Sequence, residues 1–180
     1  METTIQGKGN KYILPLLMGF ALAAVKIICS TIQFKYYLED FKASYIIFFV
    51  SLASGIAIVL LTGIMQKNRI AGATMKEIFQ AMFLTILVGI TLSYSFEQAW
   101  MYSDVSISDR IFTGKMNYLK TYPNSATKME ELRKEYLQNR NAKPTFGNLT
   151  TGLLVDIVRY SILGFIFALI LNRKKTGATA

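Results

Sequence analysis

The sequence contains no histidine and a single cysteine, Cys29, among its 180 residues. Histidine is the commonest general base and the commonest metal ligand, so its absence excludes a hydrolytic triad, a His-type zinc site and a His-ligated haem. One cysteine cannot form an internal disulfide, and cysteine usage therefore says nothing about the redox compartment. The chain also lacks a nucleophile motif, a Gly-rich phosphate loop and a metal-ligand cluster. We therefore expect no cofactor, no metal and no enzymatic activity.

Apolar residues make up 52% of the chain, and they fall into blocks of roughly 20 residues, the length that spans a bilayer as a helix. A single soluble core would instead show narrower apolar stripes separated by polar faces. The pattern predicts an all-α polytopic integral membrane protein with four transmembrane helices in an antiparallel bundle. The blocks lie at about 12–34, 43–65, 78–102 and 151–171.

These blocks divide the chain into five parts. Ala21, Leu22 and Ala23 resemble a signal-peptide cleavage site, but the apolar run continues too far beyond them for a typical signal peptide. The first block is therefore expected to be a retained helix. The predicted parts are a cytoplasmic tail (1–11), transmembrane helices 1–3 (12–102), a polar extracytoplasmic loop (103–150), transmembrane helix 4 (151–172) and a basic cytoplasmic tail (173–180).

The polar loop is predicted to hold two amphipathic helices. In the first, Ile111, Phe112, Met116 and Leu119 share one face at helical spacing. Such helices lie on their own bundle, lie in the headgroup region, or dock a partner. The second helix is predicted from a T-x-x-E capping box at Thr127 and Glu130, from the apolar positions Met129, Leu132 and Tyr136, and from the flanking Pro123 and Pro144.

The formal net charge is +9, and no nucleic-acid module accompanies it, so attraction to anionic lipid headgroups is the preferred interpretation. The short link between the second and third blocks carries Lys67, Arg69 and Lys76. Charges on short loops near span ends set orientation, and basic loops stay in the cytoplasm. We therefore predict that both termini are cytoplasmic and that the long loop is outside.

Four ionisable residues lie inside the predicted spans: Lys26, Glu97, Asp156 and Arg159. Each would cost about 2.5–3.5 kcal/mol alone at the bilayer centre, so these side chains should face the interior and pair. In the predicted orientation all four fall at similar depth in the outer half. One interpretation is an ion-pair network that fixes helix register. The other is a binding site or an ion pathway.

Small residues recur every three or four positions along the spans. They allow membrane helices to approach closely, and hydroxyl groups can bond across the contact. We therefore predict a small and polar bundle core, with the large Leu, Ile and Phe side chains facing lipid. The predicted packing residues are Gly19, Ala23, Ser51, Gly55, Gly89, Gly152 and Gly164.

The order of these segments resembles a family of small membrane proteins common in Bacteroidota, catalogued as domain of unknown function number forty-one ninety-nine. The resemblance covers about 12–175 and rests on the link "KYYLEDFK", the basic turn "QKNRIAGATMKE", the long polar segment and the ending "LNRKK". It implies a four-helix protein of the bacterial inner membrane and supplies no catalytic residues.

Three functional hypotheses follow. The first is a non-enzymatic accessory or structural subunit that binds a membrane protein partner or a lipid headgroup through its outer polar cluster and loop helices. The second is a small transporter or channel subunit, acting as a homo-oligomer, that uses the four intramembrane charges as an ion or solute site. The third and weakest is an accessory factor for a glycosyltransferase acting on a lipid carrier. None of them involves nucleic acid.

Overall fold

The computed structural model describes residues 12–104, 106–123, 125–139 and 145–172. The predicted tails, 1–11 and 173–180, lie outside these residues. Within the described ranges the chain is helical, and α1 continues directly into a short π-helical segment. The helices are α1 (Ile13–Ile32), the π-helical segment (Gln33–Tyr37), α2 (Phe41–Arg69), α3 (Met75–Ser103), α4 (Ser106–Lys120), α5 (Ala126–Asn139) and α6 (Phe146–Asn172).

Four of these helices are long and apolar enough to cross a membrane, which confirms the predicted fold class. The spans α2 and α3 have 29 residues each, about 43 Å at 1.5 Å per residue. They therefore extend beyond a hydrocarbon core of about 30 Å. The last span also begins earlier than predicted, since α6 starts at Phe146 and not at position 151. The four candidate spans are Ile13–Tyr37, Phe41–Arg69, Met75–Ser103 and Gly147–Asn172.

The four spans form one bundle. α1 packs against α2 and α3, and α6 packs against the same two helices. α2 and α3 also contact each other, so α1 and α6 lie on opposite sides of the central α2–α3 pair. The short links between α1 and α2 and between α2 and α3 make consecutive spans antiparallel neighbours.

The bundle core combines the predicted small and polar residues, such as the fully buried Thr85, with large apolar side chains that were expected to face lipid. Leu22, Met82 and Ile86 have no exposed surface. These large side chains fit into the core because glycines on the facing helices leave room for them. A Cβ added at Gly89, for example, would lie 2.6 Å from Cγ of Leu22. Large apolar side chains are therefore found both in the core and on the lipid-facing surface.

Most of the predicted packing residues do lie at contacts between helices. Ala23 is buried and Ser51 is half-buried. Sequence reasoning missed Gly63, which lies against Met82. The five predicted glycines face side chains of other helices: Gly19 faces Val88, Gly55 faces Tyr160, Gly89 faces Leu22, Gly152 faces Tyr94 and Gly164 faces Ile86.

A capping box begins α3, at a T-x-x-E pattern that sequence reasoning did not use. The Thr74 hydroxyl accepts a hydrogen bond from the Glu77 N–H at 3.3 Å, and the Glu77 carboxylate accepts from the Thr74 N–H at 3.1 Å. Gly72, with a φ of 75°, turns the chain just before it. The predicted capping box at Thr127 is wrong, because α5 already begins at Ala126. Thr127 therefore lies inside the first turn.

Helices α4 and α5 form a hairpin, and α4 rests on the bundle. The rings of Phe112 on α4 and Tyr136 on α5 stack with centroids 4.1 Å apart. Tyr118 of α4 packs against Phe41 at the start of α2, with centroids 4.5 Å apart. A Cβ at Gly114 would lie 2.6 Å from the Leu38 carbonyl oxygen, so glycine permits this close approach. Of the arrangements expected for the loop, α4 therefore adopts the one in which it docks on its own protein.

Candidate functional site

A cavity of about 260 Å³ lies between the four spans. It is near the end of the bundle that carries the α1–α2 link, because the π-helical segment contributes Gln33 and Phe34 to its wall. Phe48 and Leu52 of α2 add apolar surface. The polar side chains that line the cavity are Lys26, Ser30, Gln33, Ser51, Glu97, Asp156, Arg159 and Tyr160.

All four intramembrane charges named from the sequence line this one cavity. Helix geometry explains why these charges, from three helices, lie toward the same end of the bundle. Asp156 lies ten positions after the start of α6, and Lys26 lies eleven positions before the end of the π-helical segment. At 1.5 Å per residue both are about 15–17 Å from the same end of the bundle. Glu97 lies nearer that end, about 9 Å before the end of α3.

Arg159 and Asp156 form an ion pair one turn apart on α6. The distance from Nη1 of Arg159 to Oδ1 of Asp156 is 3.6 Å, and their side chains are 56% and 37% exposed. This pair therefore neutralises itself within a single helix. Arg159 also reaches the outer surface of α6, which connects the cavity with the surroundings of the bundle.

Lys26 and Glu97 are not paired with each other. The ammonium of Lys26 lies 5.5 Å from the ring centroid of Tyr160 on α6. The carboxylate of Glu97 accepts a hydrogen bond of 2.5 Å from the Ser30 hydroxyl on α1. Within the described part of the chain, neither Lys26 nor Glu97 forms an ion pair. Of the ion pairs expected among these four residues, only the pair between Arg159 and Asp156 is present.

The π-helical segment forms the rim of the cavity and was not predicted from the sequence. The amide of Gln33 donates a 2.7 Å hydrogen bond to the Ser44 hydroxyl, which joins the end of α1 to α2. A π-helical turn changes the backbone pairing and is often found at functional sites. Apolar periodicity cannot reveal such a turn, because the side-chain pattern of the segment stays helical.

Arg110 of α4 holds the same rim from outside. Its guanidinium donates to the carbonyl oxygens of Phe34 at 3.1 Å and Lys35 at 3.4 Å. It also pairs with Glu39 at 3.1 Å. Since the side chain of Phe34 lines the cavity, α4 is connected directly to the cavity wall. Sequence reasoning missed this residue because it judged the loop by its apolar face alone.

Aromatic side chains surround this end of the bundle. Trp100 packs edge-on against Phe34 and Phe96, with centroid distances of 5.9 and 5.4 Å. On α2, Tyr45 packs with Phe48 and Phe49. Aromatic belts of this kind mark the boundary between hydrocarbon and water. These aromatic side chains lie at the same end of the bundle as the cavity, and Phe34 and Phe48 line it.

No family model, curated protein or solved structure matched the chain. The family resemblance described from the sequence therefore stays a prediction. The four candidate spans indicate a multi-pass membrane protein. Any more specific function has to be argued from the cavity itself.

Proposed function

We propose that this chain is a non-enzymatic membrane protein that binds the polar headgroup of a membrane lipid in the cavity between its four spans. The observation that carries the proposal is that Lys26 and Glu97 line one cavity without forming an ion pair. An ionisable side chain at membrane depth is expensive unless it pairs or faces water. A bound headgroup would supply the missing charged partners.

The size of the cavity supports a small ligand. Its volume of about 260 Å³ lies below the range of about 300–1,000 Å³ that is usual for drug-sized molecules. A single headgroup is the membrane component that suits such a space.

The surface of α6 supports entry from the lipid. Arg159 lines the cavity and is also exposed, and its neighbours Val155, Val158 and Ile162 are exposed apolar residues. An acyl chain lying along these residues would leave its headgroup beside Arg159. Long cationic side chains commonly place their charge at this level.

Purification with bound lipid tests the proposal. The tagged protein is extracted in mild detergent, and retained lipids are identified by native mass spectrometry. We expect stoichiometric lipid on the wild type and about a tenfold loss in the double variant Lys26→Gln/Glu97→Gln, equivalent to ~1.4 kcal/mol. The matched control, Lys42→Gln/Glu130→Gln, removes one exposed charge of each sign away from the cavity. Equal lipid retention by both double variants would contradict the proposal.

A second candidate function is an accessory subunit that recruits a protein partner through the α4–α5 hairpin. It is favoured by the position of α5, which packs against α4 and leaves Leu137 59% exposed. The same purification tests it, because a stoichiometric protein partner should appear beside the lipid. Leu137→Asp should release that partner and leave the bound lipid in place.

We place the protein in a bacterial inner membrane with both termini in the cytoplasm, on the strength of the flanking charges and the family resemblance. Transport by a homo-oligomer stays the alternative. It would be favoured if proteoliposomes carrying the wild type showed ion flux that Glu97→Gln abolished. An accessory role beside a lipid-carrier glycosyltransferase would be favoured if such an enzyme were the co-purified partner.

A further inference from the structure

We infer that the cavity selects a zwitterionic headgroup that carries both a phosphate and a primary ammonium. This inference rests on the proposed function, because it names the class of ligand for the same cavity. The contacts among the residues that the structure describes leave two of the cavity's charges, one of each sign, without an ionic partner.

Four charged side chains line the cavity, two of each sign. Arg159 and Asp156 already neutralise each other at 3.6 Å. Lys26 then remains as one cation, and Glu97 as one anion, on the wall of the same cavity. A ligand that completes both pairs must carry one negative and one positive group.

Purely anionic headgroups meet only half of this requirement. Their phosphate would pair with Lys26 but would lie in the same small cavity as the uncompensated carboxylate of Glu97. Like charges in such a space repel, and an unpaired charge at membrane depth costs free energy. A zwitterion avoids both costs because its ammonium lies against Glu97.

The hydrogen-bonding capacity of Glu97 favours a primary ammonium. A carboxylate offers about four lone-pair positions, and Oε1 of Glu97 accepts one hydrogen bond, from Ser30. A primary ammonium brings three N–H donors, whereas a quaternary ammonium brings none. The three N–H donors of a primary ammonium can therefore fill lone-pair positions of Glu97 that a quaternary group would leave open.

Cys29 provides the probe. It is the one cysteine in the sequence, and it lines the cavity. Its rate of alkylation by a small maleimide is measured in phosphatidylcholine nanodiscs, with phosphatidylethanolamine or phosphatidylglycerol added stepwise. A further arm adds soluble phosphoethanolamine to the phosphatidylcholine nanodiscs, which separates a lipid headgroup from a free solute.

The expected result for the wild type is about a tenfold slowing with phosphatidylethanolamine, a difference equivalent to ~1.4 kcal/mol, and a much smaller effect of phosphatidylglycerol. Glu97→Gln should lose protection by phosphatidylethanolamine and gain protection by phosphatidylglycerol. Lys26→Gln should lose protection by both lipids. The control variant Glu130→Gln should behave as the wild type, because Glu130 lies on the exposed face of α5.

The outcomes separate the two claims. Equal protection by phosphatidylethanolamine and phosphatidylglycerol would overturn the zwitterion inference and leave the lipid-binding proposal standing. Protection by soluble phosphoethanolamine alone would support zwitterion selection but contradict a lipid source. An unchanged alkylation rate in every arm would overturn the zwitterion inference, and the retained lipid in the native mass spectrum would then decide the lipid-binding proposal. The comparison of lipids on the wild type decides these points even if a variant fails to fold.

Discussion

The hydroxyl of Ser30 on α1 donates a 2.5 Å hydrogen bond to Oε1 of Glu97 on α3. This bond joins two spans at the wall of the cavity and holds the carboxylate in place. Without it, Glu97 would be restrained only by packing. The bond therefore both stabilises the contact between α1 and α3 and fixes the position of the Glu97 carboxylate in the cavity wall.

Replacing Ser30 with alanine tests this connection. Hydrogen bonds between membrane helices average about 0.6 kcal/mol and reach about 1.7 kcal/mol. We expect Ser30→Ala to lower the free energy of unfolding by about 1 kcal/mol, because the acceptor is charged. Denaturant unfolding in detergent micelles measures the change. Ser54→Ala is the matched control, since the Ser54 hydroxyl donates only to Ser51 of its own helix. A loss no larger than that of the control would contradict the role of the bond.

Close packing at Gly89 predicts a second effect. A Cβ at this position would lie 2.5–2.8 Å from three side-chain atoms of Leu22, including its Cβ, which cannot move without the backbone of α1. Overpacking of this kind costs about 1–3 kcal/mol, so Gly89→Ala should lower the melting temperature clearly. The control is Gly147→Ala, where the nearest such atom is 3.9 Å away. Equal melting temperatures for Gly89→Ala and Gly147→Ala would contradict close packing of α1 against α3 at Gly89.

Arg110 should hold α4 on the bundle. Arg110→Lys keeps the positive charge but loses the planar guanidinium, which donates hydrogen bonds to the carbonyl oxygens of Phe34 and Lys35 and to the carboxylate of Glu39. We expect the free energy needed to open α4 to fall by about 1 kcal/mol, which raises the rate of amide hydrogen exchange in α4 about fivefold. Exchange in α2 and α3 should not change. Arg133→Lys, on the exposed side of α5, is the control, and the same increase in that variant would argue against a specific role for Arg110.

The start of α4 should depend on pH. Hydrogen bonds from the Ser106 hydroxyl and then from its N–H lower the pKa of Asp104 below the ordinary value of 3.8. Because the folded pKa is lowered, the contribution to stability is present above pH 3.8 and is lost as the pH falls through the folded pKa. Ser106→Ala should raise the pKa of Asp104 toward 3.8 in an NMR titration, whereas Ser108→Ala should not. A pKa that stays the same in both variants would contradict the assignment.

Orientation can be tested by cysteine labelling. In a Cys29→Ser background, Thr127→Cys places a thiol on α5 and Ala71→Cys places one in the α2–α3 link. Both positions are exposed in the structure. If basic short loops stay inside, a membrane-impermeant maleimide should label only Thr127→Cys on intact cells. Labelling only of Ala71→Cys would reverse the proposed orientation.

The candidate site was predictable in its membership but not in its contacts. Lys26, Glu97, Asp156 and Arg159 are conspicuous because charges are rare in apolar blocks, and all of them line the cavity. Which charges pair depends on distances between helices, and the sequence does not contain those distances. The T-x-x-E pattern shows the same limit, since it occurs at both Thr74 and Thr127 but caps a helix only at Thr74.

By itself, the sequence determined the number and approximate extent of the spans. Lipid offers no hydrogen bonds, so every spanning segment must satisfy its own backbone as a helix, and long apolar blocks reveal this directly. The tertiary structure decided what fills the core and which charges remain unpaired. Leu22 enters the space at Gly89, Lys26 lies over Tyr160, and Ser30 binds Glu97. These choices depend on the shapes of facing helices, which arise only when the bundle is assembled.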